Sequence, residues 1–169
     1  MNQSYIIISG TNRLNSNTQM VARQYQRLLA TKGIEALFFS LEGWKWLEKS
    51  AAFDQLQKEL LIPPERMIFI LPEYNGSIPG VLKVMIDLTD HRSVWKGKKA
   101  LLTGISTGRA GNLRGLEHMT GILNYLKVVV HPNKLPISSV DKLLNGEGKI
   151  TDEDTLQAIE NQINEFIEF

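Results

Sequence analysis

The sequence predicts an open α/β fold: a five-stranded parallel sheet in the order 2-1-3-4-5, with helices on both faces in a three-layer sandwich. Two observations carry that expectation. Short apolar runs without polar alternation, the pattern of strands buried on both faces, recur along the 169 residues and alternate with stretches of helical spacing. Three of those runs also empty into loops rich in Gly, Asn, Ser and Thr that lead directly into helix starts. The order 2-1-3-4-5 brings the loops after strands 1, 3 and 4 to a single switch point, where such sheets bind ligands.

Each element follows from its residues. Tyr5, Ile6, Ile7 and Ile8 form the first strand; from Ser16 or Asn17, either a good N-cap, Met20, Val21, Tyr25, Leu28 and Leu29 recur at three- and four-residue steps. Lys32-Gly33 supplies the helix stop, and Ile34 to Phe39 reads as strand 2. Residues 40 to 53, with Trp44, Trp46 and Leu47, fit neither period and read as cover for the sheet or as a face for a partner subunit. Phe53 to Leu61 reads as a short helix stopped by Pro63-Pro64, and Arg66 to Leu71 as strand 3. Pro72, Asn75-Gly76 and Pro79-Gly80 punctuate a loop before helical spacing resumes over Val81 to Leu88. Strand 4 covers Lys98 to Gly104, a helix Leu113 to Leu126, and a short strand 5 Lys127 to His131. Leu143 to Lys149 reads as a surface loop. Thr151-Asp152-Glu153-Asp154 opens a last helix with Leu156, Ile159, Ile163 and Phe166 on one face. A single domain over residues 1–169 is expected.

Composition narrows the function. Lys and Arg total 19 against 18 acids, a net charge of +1, which gives no basis for nucleic-acid or anionic-membrane binding. The chain has no cysteine, which excludes disulfides, thiolate metal sites and a Cys nucleophile. His91, His118 and His131 are too scattered for metal-ligand spacing, so no metal is expected. Neither a leader-like start nor a membrane-length apolar run is present, and a cytoplasmic protein is expected.

The three loops carry the candidate chemistry. The first, Ser9 to Thr18, offers backbone and hydroxyl donors with one guanidinium, Arg13, at a helix start, which suits a phosphomonoester; it reads equally as a capped helix with a polar entry loop. It has neither the Gly-Lys-Ser/Thr of a nucleotide-phosphate loop nor three spaced glycines. In the second, Pro72 fixes the backbone and Tyr74 can cover a planar ligand, or simply pack on a neighbour while Glu73 stays solvated. In the third, Ser106 to Asn112, glycines permit close backbone approach, although such loops are often only turns. Arg109 and Arg114 read as surface cations or as contacts for a second anion.

The stretch LPEYNGSIPGVLKVMID resembles the P-E-Y-N-x-x-x-P-G-x-L-K-x-x-x-D pattern of the NADPH-dependent FMN reductase family, a branch of the flavodoxin-like fold. Gly10-Thr11-Asn12-Arg13-Leu14-Asn15-Ser16 is similar to its G-S/T-x-R-x-x-S loop, and Ser106-Thr107-Gly108-Arg109-Ala110-Gly111 to its S-x-G-x-x-G loop. The likeness runs from about Tyr5 to Ile137. It departs from the family where the third loop often carries an adjacent Gly pair, and where residues 40 to 53 lack a Leu-Pro segment. The resemblance implies that Thr11, Arg13, Ser16, Asn17 and Thr18 hold the phosphate of FMN. It assigns the isoalloxazine ring to Pro72, Glu73, Tyr74, Asn75 and Gly76, and the ring's other side to Ser106, Thr107, Gly108 and Gly111.

The same resemblance implies a homodimer or homotetramer. It also implies a ping-pong oxidoreductase in which NADPH or NADH reduces bound FMN and a small-molecule acceptor, such as a quinone, azo compound, metal oxyanion or free flavin, replaces it. No protein catalytic residue is then required, because flavin N5 carries the chemistry. The alternative is a non-enzymatic FMN-binding protein or flavodoxin-like electron carrier, which the near-neutral charge disfavours.

Overall fold

The computed structural model describes residues 5–44 and 46–169. Residues 1–4, read above for a leader, and Lys45, within the 40–53 stretch, lie outside them. All five residues of β1 (Tyr5–Ser9) are buried, as an apolar run without alternation requires. Ser16 caps α1 (Asn17–Thr31), its hydroxyl accepting the Gln19 N–H at 3.2 Å. β1 pairs with β2 (Ala36–Ser40) on one side and with β3 (Arg66–Pro72) on the other, both parallel; β4 (Lys99–Ile105) lies beyond β3. The order is 2-1-3-4-5, the flavodoxin-like arrangement.

One expectation needs correcting: the sheet has six strands, not five. The outermost position is shared by β5 (Val129–Val130), paired with Lys99 and Ala100, and β6 (Leu135–Ile137), paired with Thr103 to Ile105. The strand expected over Lys127 to His131 is cut at both ends. Lys127 has a left-handed φ of 65°, and Pro132 cannot donate to the ladder. A three-residue strand with a central proline leaves no periodicity to read.

α2 (Ala51–Leu56) starts earlier than expected, capped by Ser50, and its continuation Gln57–Leu61 widens into a π-helical turn closed by Ile62 N–H to the Gln57 carbonyl at 2.8 Å. Lys98 reaches this turn from across the sheet, donating from Nζ to the carbonyls of Leu61 (2.6 Å) and Ile62 (2.8 Å). Burial pushes the Lys98 ammonium down to about 8, against the opposing pull of Glu65. Between about pH 8 and its ordinary value of 10.5, the unfolded chain holds this proton and the folded chain does not, so folding gains stability from Lys98 as pH rises through that window. Urea unfolding of the parent and of Lys98→Met at pH 7.5 and 10 should show the stability difference moving in the parent's favour at the higher pH.

The remaining helices are α3 (Gly80–Leu88), α4 (His91–Val94), α5 (Leu113–Tyr125), α6 (Val140–Leu143) and α7 (Glu153–Glu168). Alternate strand residues feed two cores. Ile6, Ile8, Met67 and Phe69 pack with Leu82, Met85, Leu116 and Met119 on the α3/α5 face, while Ile7, Ile68 and Ile70 pack with Val21, Tyr25, Ile159 and Phe166 under α1 and α7. Each such side chain contributes about 1.5–3 kcal/mol by leaving water. The α7 face also carries a polar pin: Tyr25 donates its hydroxyl to Gln162 Oε1 at 2.6 Å, and Gln162 Nε2 donates to the Leu102 and Asn133 carbonyls. In the 40–53 stretch Trp44 is buried edge-on to Phe39 and Phe53 and so covers the sheet, whereas Leu47 is 78% exposed. No helix among the described residues is long and apolar enough to cross a membrane.

Candidate functional site

The loops that follow β1, β3 and β4 meet at the carboxyl edge of the sheet, and each is bent by an asparagine in the left-handed region: Asn15 (φ 50°), Asn75 (φ 52°) and Asn112 (φ 64°). Asparagine tolerates that region better than other side chains, because its short amide can bond locally. Asn112 does so twice. Its Oδ1 accepts the Gly115 N–H at 3.1 Å, capping α5, and its Nδ2 donates to the Leu71 carbonyl at 2.9 Å, tying the third loop to the end of β3.

Between the loops lies a cleft of about 260 Å³. Arg13, Ser16, Asn17 and Thr18 line it from the first loop, Pro72, Glu73 and Tyr74 from the second, and Ser106 and Thr107 from the third. Leu14, Asn15, Ile105 and Val140 complete the wall, none of them singled out by the sequence reading. Val140 arrives because the segment after β6 folds back, with Ser139 N–H bonded to the Gly108 carbonyl and Val140 N–H to that of Ser106, each at 3.0 Å.

The other candidates stand behind the wall. Thr11 is buried; its hydroxyl pairs with the Tyr74 hydroxyl and accepts the Arg13 N–H at 3.3 Å, so it joins the first two loops. Asn75 and Gly76 are the centre of a tight turn closed by two Tyr74–Ser77 backbone hydrogen bonds, and Gly76 faces Arg114 rather than the cleft. Gly108 sits in open space, its carbonyl accepting the Ser106 hydroxyl. At Gly111 (φ 54°) a Cβ would stand 2.7 Å from the Pro136 and Ile137 backbone, so this glycine seats the loop against β6.

Electrostatically the cleft favours an anion at one end. The first-turn N–H groups of α1, lacking helical acceptors, face it together with the Arg13 guanidinium. Arg13 also lies over the Tyr74 ring, its Cζ 4.4 Å from the centroid. Glu42, from the stretch that resisted a sequence reading, braces the loop by accepting the Asn15 N–H at 2.9 Å and the Gln19 side-chain amide at 2.6 Å. The cleft brings together no nucleophile–base pair. The described residues contain no group of three His, Asp or Glu placed to hold a metal ion.

Replacing Tyr74 with Phe removes the hydroxyl that bridges to Thr11. The loss of about 1 kcal/mol typical of one such bond is expected in folding stability, measurable by urea unfolding of parent and variant.

The family model for NADPH-dependent FMN reductases matches residues 4–142. The chain belongs to that family. Among relatives, a 2-hydroxy-1,4-benzoquinone reductase of a Burkholderia species is 28% identical over 113 residues, 64% of this chain and 62% of its own. A NAD(P)H-dependent FMN reductase of Pseudomonas aeruginosa is 32% identical over 111 residues, 63% of this chain and 59% of its own. The chain thus spans about three fifths of the length of these relatives. Among solved structures, the flavoenzyme NAD(P)H:(acceptor) oxidoreductase FerB from Paracoccus denitrificans superposes with a TM-score of 0.81 at 21% identity, covering 98% of this chain and 96% of that one. At that identity the likeness speaks for the FMN reductase fold alone.

Proposed function

We propose that this FMN reductase family member is an FMN-dependent NAD(P)H oxidoreductase, a single cytoplasmic FMN-binding domain that takes electrons from NADPH or NADH and delivers them to a small acceptor such as a quinone, azo compound or free flavin. The observation that carries this is the meeting of Arg13, the α1 N-terminus and the two later loops around one cleft. The donor set fits FMN. Among the described residues, the Ser9 hydroxyl at the base of the first loop is a buried polar atom without a partner, and Gly10 lets that loop approach the Ile70 carbonyl, where a Cβ would stand at 3.0 Å.

In this reading Arg13, Ser16, Asn17 and Thr18 hold the phosphate directly, with Thr11 fixing Tyr74 behind them. Pro72, Glu73 and Tyr74 line the ring, supported by the Asn75-Gly76 turn, and Ser106 and Thr107 face its other side on a loop shaped by Gly108 and Gly111. When bound, FMN supplies hydride acceptance and onward electron transfer, so no acid or nucleophile is asked of the protein. The chain's own tasks are to neutralise the phosphate, orient the ring and leave one face open to the electron donor and then to the acceptor. Rotation of the exposed Arg13 side chain off Tyr74 gives the cleft more room without a backbone change.

The deciding experiment is an anaerobic visible spectrum of the FMN-reconstituted protein titrated with NADPH and NADH. Rapid bleaching of bound flavin is the expected result. Bound flavin that stays oxidised with both would overturn the enzyme reading in favour of a carrier, and no bound flavin would overturn the cofactor.

The same proposal includes a homodimer or homotetramer. Supporting it is a groove of about 1140 Å³ between α3 and α5, whose apolar lining includes Ile78, Ile86 and Ile122. Light scattering after size exclusion should give a multiple of the 19.1 kDa chain mass; a monomer at micromolar concentration would refute it.

A further inference from the structure

Where the groove runs away from the three loops, it meets a second hollow of about 450 Å³, lined by His91, Arg92, Lys96, Tyr125, Leu126 and Lys127. Four of the six are basic and none is acidic, in a chain whose charges nearly cancel. Arg92, Lys96 and Lys127 make no ion pair or side-chain hydrogen bond among the described residues. Asp87 and Glu117 line the adjoining groove, and Asp90, beside His91, is engaged as the N-cap of α4, its Oδ1 accepting the Arg92 and Ser93 N–H groups (3.2 and 2.8 Å) and the Ser93 hydroxyl (2.7 Å).

The backbone holds these cations together. Lys127 occupies the position after α5 where glycine commonly ends a helix, in the left-handed region at φ 65°. Its carbonyl accepts the N–H of Gly97 (φ 80°) at 2.9 Å, and its own N–H bonds the Asn124 carbonyl at 3.1 Å. Two turns are thereby cross-linked, and they present Lys96 and Lys127 to one hollow. Tyr125, 83% exposed, offers an aromatic face beside them. The volume lies within the ~300–1,000 Å³ usual for small-molecule sites.

We propose that this hollow is a binding site, separate from the three-loop cleft, for a phosphate ester carried on a planar ring: a mononucleotide, its phosphates taken by Arg92, Lys96 and Lys127 and its base lying on Tyr125. It is not an extension of the flavin cleft. Lys96 and Lys127 precede the amino ends of β4 and β5, while the cleft takes Ile105 from the carboxyl end of β4, about 20 Å away along a seven-residue strand.

The test is calorimetric titration of ADP into the full chain, as purified and after saturation with FMN, with adenosine and inorganic phosphate in parallel. Saturable ADP binding that survives FMN and exceeds that of either fragment is expected. The pair Lys96→Gln with Lys127→Gly keeps the left-handed turn and removes two charges; it should weaken ADP at least tenfold while leaving the melting temperature and FMN affinity at parental values. Tyr125→Ser should weaken ADP with the phosphate response unchanged. The proposal is overturned by no saturable ADP binding, by binding that FMN abolishes, or by equal affinity in parent and double variant. Because the titration runs with or without FMN, failure here is distinct from failure of the flavin reading.

Discussion

Arg13→Ala is expected to weaken FMN binding by about tenfold to a hundredfold and to change riboflavin binding by no more than about threefold, since charge-assisted hydrogen bonds are worth about 1.5–3 kcal/mol. Arg13 is the one cation among the residues lining the cleft, so no second guanidinium or ammonium there can substitute for it. The first-turn N–H groups of α1 remain, which is why the loss is bounded rather than complete. Riboflavin lacks the phosphate and serves as the internal control. Arg13 also covers the Tyr74 ring, and if that contact were its whole role, both ligands would lose affinity equally. Fluorescence quenching titrations of parent and variant with FMN and riboflavin decide between the two.

Gly104→Ala should cost about 3 kcal/mol of stability or more, at the upper end of what overpacking does, and lower the melting temperature by about 10 °C. A Cβ on Gly104 would stand 2.3 Å from the Gly111 carbonyl oxygen and 3.0 Å from Leu116. The leucine can turn aside; the carbonyl cannot, because Gly111 is itself wedged against Pro136 and Ile137 and its neighbour Asn112 is bonded to Leu71. Any relief therefore moves the third loop, and FMN affinity should fall together with stability. Gly121→Ala is the contrasting control. A Cβ there meets nothing within 4 Å, on an exposed helix position, so the substitution should be neutral or stabilising by up to about 1 kcal/mol.

The sheet order was readable because β1, β3 and β4 are buried on both faces and their sequences have no alternation to mislead. The cleft was readable for a related reason: loops at strand ends concentrate residues that a core would exclude. What escaped were roles that depend on partners distant in sequence. Glu42 looks like any solvated acid until Asn15 and Gln19 are seen bonded to it across β2. Thr11 and Tyr74 are 63 residues apart, and no local pattern announces that their hydroxyls meet. In the third loop Asn112 follows Gly111 in the left-handed region and adds two side-chain hydrogen bonds that no local pattern foretells. Gly111 also packs closely against β6, a strand too short and too proline-marked to foresee.

The divided outer strand has a consequence for solubility. A long unpaired strand edge is a template on which other chains can add by backbone pairing, the first step toward aggregation. Here that edge is broken between Val130 and Leu135, and its longer piece has Pro136, which has no N–H to offer an incoming strand, at its centre. Joining β5 and β6 by deleting Pro132 and Asn133 and replacing Pro136 would create such a template on a protein that lacks one there.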